Sequence, residues 1–284
     1  MTNILIIGFN RPDCIQKLIK SLLIAKPDKL FVALDGPRLA CNDDIIKCKA
    51  VNDLLMSANW ECDVEYLRSN HNLGCSNNVE TAVNWFFDSV EEGIILEDDC
   101  IPNPSFIRFA HELLCRYRNE ERVFQISGMS FLPSIDNTSS YLFSKLVNIW
   151  GWATWKSAWS YFIENLSDWP EMKSRKILAC YGTEEAQQEQ LIQEYYDGKR
   201  QLTWGIKWRL TCLSNYAYSV VPTNNLVQNI GFNRNDSTSK KFYHPIMDIK
   251  ASSVRFPLSH PKEVAADIKN DESGLKFYYQ SAKN

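Results

Sequence analysis

Along the first hundred positions, apolar residues fall into two alternating kinds of run. Asn3–Gly8 is an unbroken apolar stretch, the pattern of a strand covered on both faces. Over Asp13–Ala25 the apolar positions Ile15, Leu18, Ile19, Leu22 and Leu23 recur at helical spacing, with Pro12 at a first-turn position. The alternation continues with a strand at Leu30–Leu34 that ends in the turn triplet Asp35-Gly36-Pro37, and then a helix over Asp43–Asn59. Next come a strand at Asp63–Arg68, a helix over Ser76–Val90 and a strand at Gly93–Leu96. Strand and helix repeating in this order predict an α/β fold, a three-layer α/β/α sandwich around a mostly parallel, mixed central sheet.

After residue 100 the pattern changes. A helix is expected over Phe106–Arg118 and a strand over Val123–Ser127, followed later by a polar helix at Glu184–Tyr196 and short strands at Ala217–Pro222 and Leu226–Asn229. Seven of the nine tryptophans lie between Leu146 and Trp208, which makes that stretch a candidate for both core and site. From Lys240 onward the turn signals Pro245, Pro257 and Pro261 predict a segment that wraps the domain. Neither an internal repeat nor a linker interrupts the chain, so one continuous fold is expected.

Composition removes several function classes. A net charge of −3 argues against a nucleic-acid surface, which carries a basic face. No apolar run approaches the ~20 residues that span a bilayer. Ile4-Leu5-Ile6-Ile7 is too short for an export-signal core, so a cytoplasmic protein is expected. The nine cysteines are scattered singly without a Cys-x-x-Cys pair, which predicts reduced thiols and no zinc site.

Chemistry gathers at the strand ends. The first strand ends at Asn10-Arg11, the second at Asp35, the third at Arg68 and the fourth at Glu97-Asp98-Asp99. A parallel sheet brings all four to its carboxyl edge, where open α/β folds bind ligands. Three adjacent carboxylates repel one another, and a hard divalent cation relieves the repulsion by bridging them to substrate phosphates. Arginine suits bidentate phosphate contact, so the edge reads as a nucleotide-diphosphate site with Mg²⁺ or Mn²⁺. The competing reading of the triplet is a solvated acidic turn.

The chain resembles GT-A-type glycosyltransferases, both the bacterial family-2-like sugar transferases and, more distantly, the N-acetylglucosaminyltransferases of N-glycan processing. The resemblance rests on Gly8–Pro12, Asp35-Gly36, Asn72-Leu73-Gly74, Ile95–Asp99 with Pro102 and Phe106, Trp150–Trp155, and Asn229–Phe232. It implies a catalytic domain over 1–240, with a nucleotide-binding half (1–100), an acceptor-side half (101–240) and a wrapping segment (241–284). The implied substrates are a nucleotide-sugar donor, a UDP-sugar before others, and a glycan acceptor, in bacterial surface polysaccharide assembly. Any membrane contact would come only through a lipid-linked acceptor.

By the same resemblance Asp99 would ligate Mn²⁺ or Mg²⁺, Asp98 would contact ribose or sugar hydroxyls, Glu97 the donor sugar, and Asp35 the uracil edge. Arg11 would lie against the nucleotide or its phosphates, and Asn10 and Arg68, placed on the same edge by the strand ends, are further candidates to line it. Trp150-Gly151-Trp152 reads either as core or as a loop over the donor sugar, while Trp155 and Trp159 read as core. An inverting transferase needs a general base, and where relatives carry an acid this chain has Trp204-Gly205-Ile206-Lys207-Trp208. Asp236 is the candidate base, with Asp168, Glu184 and Glu185 as alternatives, and His244 is a candidate further metal ligand. Two other classes stay open: a nucleotidyltransferase, and a non-catalytic sugar- or nucleotide-binding protein on a decayed transferase scaffold.

Overall fold

The computed structural model describes residues 1–130, 132, 138–232 and 245–281. Its first half runs β1 (Asn3–Gly8), α1 (Pro12–Ala25), β2 (Lys29–Leu34), α2 (Asn42–Ser57), β3 (Asp63–Arg68), α3 (Cys75–Ser89) and β4 (Glu92–Glu97). The middle adds β5 (Cys100–Pro102), α4 (Pro104–Tyr117), β6 (Val123–Ser127), β7 (Tyr141–Ser144), β8 (Trp152–Trp155) and α5 (Lys156–Trp159). Then follow α6 (Trp169–Ser174), α7 (Glu185–Tyr196), α8 (Trp204–Ser214), β9 (Tyr218–Pro222), β10 (Val227–Asn229) and α9 (Ile268–Ser281).

Eight strands form one mixed, mostly parallel sheet in the order β3-β2-β1-β4-β8-β6-β9-β7. Side chains of successive strand residues point to opposite faces, and both faces are covered here, which is why β1, β2 and β4 read as continuous apolar runs. Ile4, Ile6, Val32 and Leu96 face α1, α2 and α4, packing on Leu18, Leu55 and Phe109. Leu5, Ile7, Phe31 and Ile95 face the other way, onto Val83 and Phe86 of α3 and Trp208 of α8. Each such side chain removed from water contributes roughly 1.5–3 kcal/mol. The expected three-layer α/β/α architecture is therefore present.

Strand order fixes where a ligand can enter. From β1 the chain passes to β2 and β3 on one side, and α3 then carries it back to β4 on the other side of β1. The gap between the carboxyl ends of β1 and β4 is thus a topological switch point, the place where open α/β sheets form a crevice.

The tryptophan-rich stretch supplies the least expected element. β8 inserts antiparallel between β4 and β6, with Trp152 opposite both Ile95 and Ser127. Trp152 stacks on Trp204 at 5.9 Å and lies 5.3 Å from Trp208. Trp208 Nε1 donates to Gln125 Oε1 (2.7 Å), so the indole's one polar atom is satisfied inside the core. Trp155, which ends β8, and Trp159 are buried, as expected.

Beyond β10 the described chain returns to β7. Ser140 N donates to Ser259 O, and Phe143 bridges to Ala266. In the first turn of α9, Asp271 accepts from Ser144 Oγ (2.5 Å) and Lys145 N (3.0 Å). Burial pushes its carboxyl up to about 6 even though both hydrogen bonds oppose the shift. The folded state therefore binds more protons than the unfolded chain between the ordinary value of 3.8 and about 6, and stability falls as pH rises through that window. Asp271→Asn is expected to flatten this part of the Tm-against-pH curve relative to the parent. Parallel curves from pH 4 to 7 would remove Asp271 as the source.

Candidate functional site

Arg11 and the acidic triplet meet at the β1/β4 crevice. Arg11 precedes Pro12 at the start of α1, and its carbonyl accepts from the Cys14 and Ile15 amides, so its side chain leaves a fixed backbone. Arg11 Nη1 lies 2.7 Å from Asp99 Oδ2, and Nη2 pairs with Asp98 Oδ1. Asp98 is 1% exposed, held by Arg11 and by the Phe9 backbone. The Arg11 pair, with a hydrogen bond from the Phe9 backbone, offsets the burial of its charge, an arrangement that makes one-sided removal costly. Glu97 closes β4 opposite Ile7 of β1 and is partly exposed.

One guanidinium faces three carboxylates, so the crevice carries excess negative charge. Burial, with the charges of Asp99 and Asp98, pushes the Glu97 carboxyl well above the usual range. Asp98 is raised too, by burial first, against the opposing pull of Arg11. At Arg11 burial works to discharge the guanidinium, but the two carboxylates outweigh it and the group is held charged more firmly than usual.

A second pair of strands closes over this cluster. β10 pairs antiparallel with β5, matching Asn229 to Cys100, and Ile230 N donates to the Asp99 carbonyl (2.9 Å). Gly231 follows, its amide held by Asn229 Oδ1 (2.8 Å). A methyl group on Gly231 would overlap Asp99 Oδ2 and sit 2.8 Å from its Cγ and 3.1 Å from Arg11 Nη1. Only glycine lets the backbone approach this closely. Gly231→Ala is expected to push the 229–232 turn off the triplet and weaken ligand binding in the crevice about tenfold or more (~1.4 kcal/mol per tenfold). Titration of a nucleotide-diphosphate sugar would measure it, and unchanged affinity would mean that the turn does not bear on the site.

Trp150 lies beside this turn, half-buried, its ring edge-on to Phe232 at 4.8 Å. Gly151 adopts a positive φ of 69°, and its carbonyl accepts from Gly128 N (2.7 Å). Trp152 corrects one expectation: at 1% exposure its indole belongs to the core and cannot pack on a donor sugar. Strand alternation sends it to the α8 face.

Asp35, at the end of β2, uses both oxygens internally. Oδ1 accepts from Gly36 N and Leu73 N, and Oδ2 from Asn72 Nδ2 and Gly74 N, at 2.8–3.2 Å. It ties the entry to α3 onto β2, so a base edge would have to share these oxygens. Asn10 is likewise engaged, donating to Asp44 Oδ1 (2.7 Å). Arg68 sits on the edge strand β3 and turns away from Arg11. It bonds Asn52 Oδ1 (2.8 Å) on α2 and lies 4.2 Å over Tyr66.

Asp44 is the member that sequence reasoning missed. In sequence it is one of two acids in a helix's first turn, a position that dipole complementation explains. In the structure it is fully buried and grips Arg38 through both Nε (2.6 Å) and Nη2 (2.8 Å) as well as Asn10. The Arg38 hydrogen bond holds its carboxyl well below the usual range, against the effect of burial. The loops after β1 and β2 are thereby fastened to one carboxylate. The signal was Arg38 six residues before Asp44, unremarkable without the fold.

Asp236 and His244 lie outside the described residues. Asp168, Glu184 and Glu185 stand at the starts of α6 and α7. No group of three acidic, histidine or cysteine side chains suited to a metal occurs among the described residues. The donor set still fits a hard divalent cation, which commonly takes only one or two carboxylates and completes its shell with phosphate oxygens and water. Asp98 and Asp99 supply that pair, adjacent in sequence and set side by side on the two Nη atoms of Arg11.

No protein-family model matches the chain, and no curated protein matches it. Among solved structures, apo UDP-glucose pyrophosphorylase is 9% identical over 81% of this chain and 93% of its own, with a TM-score of 0.43. The mannosyltransferase PcManGT from Pyrobaculum calidifontis, in complex with GDP-Man and Mn2+, is 11% identical with a TM-score of 0.39. That match spans 56% of this chain and under half (45%) of the mannosyltransferase. HddC from Yersinia pseudotuberculosis is 11% identical over 56% of this chain and 78% of its own, with a TM-score of 0.36. Likeness this distant assigns no activity.

Proposed function

We propose that this protein is a metal-dependent glycosyltransferase that moves a sugar from a nucleotide-diphosphate donor, a UDP-sugar in the first instance, to a glycan acceptor, in bacterial surface polysaccharide assembly. The observation that carries the reading is the meeting of Arg11 with Glu97, Asp98 and Asp99 at the β1/β4 switch point. Such a crevice suits a nucleotide, and an acidic edge next to a fixed arginine suits a diphosphate whose charge is shared with a cation.

Each side chain then has a task. Asp98 and Asp99 would hold Mg²⁺ or Mn²⁺, which supplies positive charge to the departing diphosphate. Arg11 orients both carboxylates from one planar group. Glu97, driven toward its protonated form by burial and its neighbours, can donate a hydrogen bond to a sugar hydroxyl. Gly231 brings the 229–232 backbone over the site, and Trp150 with Phe232 walls one side. Asp236 is retained as candidate base, in the segment just after that turn.

Incubation with UDP-sugars and Mn²⁺ tests the reading through release of UDP. A nucleotidyltransferase would instead form or consume pyrophosphate. A bound donor at a hundredfold excess over Kd stabilises a fold by about 2.7 kcal/mol, so a metal-dependent rise in Tm should accompany turnover. Neither UDP release nor any metal-dependent rise with a range of nucleotide sugars would sink the proposal and leave the non-catalytic reading standing.

A further inference from the structure

A second recess lies on the α3/α8 face, apart from the acidic triplet. Cavities of about 390 and 440 Å³ share Glu164 as a lining residue and adjoin across the Lys207–Glu80 ion pair, forming one open groove. Phe162 lines it, stacked on Trp159 at 4.2 Å, and Tyr196 stands at its far side, 43% exposed. Asn84 fixes the Trp159 indole through Oδ1 (2.7 Å), leaving its amide nitrogen to donate.

The lining selects a ligand class. Two carboxylates and one lysine leave the groove negative, and both Glu80 oxygens already hold Lys207 Nζ at 2.8 and 2.9 Å, so phosphates and other anions are disfavoured. A purely apolar ligand would strip water from carboxylates and amides without replacing their hydrogen bonds. A neutral molecule with apolar faces and many hydroxyls meets both demands, because aromatic rings take its C–H faces and the acid and amide groups its O–H groups. We infer that this groove is a binding site for a neutral saccharide chain.

Its position gives the site a use that rests on the proposed transferase reading. α3 begins at Cys75, whose thiol lies in the field of Glu97 and Arg11, and Glu80 and Asn84 follow five and nine residues later. At 1.5 Å per residue they stand about 7.5 and 13.5 Å along the helix from Cys75. An acceptor glycan whose end enters the β1/β4 crevice can therefore lay its earlier units in the groove.

Saturation-transfer NMR on the full chain tests the groove without any donor, with the methyl glycosides of glucose, galactose, mannose and N-acetylglucosamine as probes. Transfer to the ring protons of at least one is expected. It should fall threefold or more in Tyr196→Ala and in Glu164→Gln, both at exposed positions, and persist in Asp99→Asn. Absence of transfer from all four probes overturns the inference, as does equal transfer in both groove variants, or transfer lost only in Asp99→Asn. Saccharide binding without UDP release would fail the transferase reading alone, and UDP release without saccharide binding would fail the groove alone.

Discussion

Asp99→Asn is expected to lower sugar transfer about 10²–10³-fold while leaving the fold intact, the loss typical of removing one group that stabilises transition-state charge. Two features separate its chemical from its structural weight. Asp99 is the more open partner of Arg11, with 14% of its side chain exposed against 2% for Asp98, so its carboxylate keeps more contact with water. Its backbone is held independently by Ile230, so the asparagine has little reason to move. The amide keeps the shape and loses the charge that a cation and a departing diphosphate require. Initial rates of UDP release at several Mn²⁺ concentrations, with Tm measured in parallel, check the expectation. Wild-type turnover at ordinary metal concentration would mean that Asp99 takes no part in holding the leaving group.

The fold was legible where a local pattern and a global demand coincide. β1, β3 and β6 run over the expected residues, and α1 to α4 differ by a residue or two at their ends, because a doubly covered sheet forces unbroken apolar strands between amphipathic helices. β8 escaped because in Trp152-Ala153-Thr154-Trp155 two indoles flank two small residues with no clear period, and only the fold shows it sandwiched between β4 and β6. β5 escaped because proline at its end argues against a strand; among the described residues it pairs with β10 in a two-stranded ribbon. At the site, sequence could place residues on one edge but could not aim them. Arg11 and Arg68 both end strands, and one crosses to the triplet while the other folds back on α2. Gly231 stood inside a recognisable run, but its closeness to Asp99 depends on the β5–β10 pairing, a contact 132 positions apart in sequence that no local signal encodes.

Removing the arginine tests the same cluster from its other side. Arg11→Met keeps the length of the side chain but leaves Asp98 buried without its counter-charge, and breaking a buried pair on one side costs about 3–5 kcal/mol. The loss should depend on pH in a definite direction. Burial already raises the Asp98 carboxyl above its ordinary 3.8, and losing Arg11 removes the opposing pull, so the folded variant takes up a proton that the unfolded chain does not. An acid that binds more protons when folded contributes stability at low pH and loses it as pH rises. The deficit of Arg11→Met should therefore be small near pH 5 and open as pH rises past about 7, where the parent's own Asp98 carboxyl ionises and the variant's does not. Asp98→Asn placed in the same variant removes the charge that needs neutralising and should restore most of the stability at pH 8, giving a strongly non-additive cycle. Denaturant titrations of the parent, both single variants and the double at the two pH values measure this directly. A deficit equal at pH 5 and pH 8, or one that Asp98→Asn fails to relieve, would mean that Arg11 supports the fold through the packing of its stem, and the crevice would then have no electrostatic centre for a diphosphate to meet.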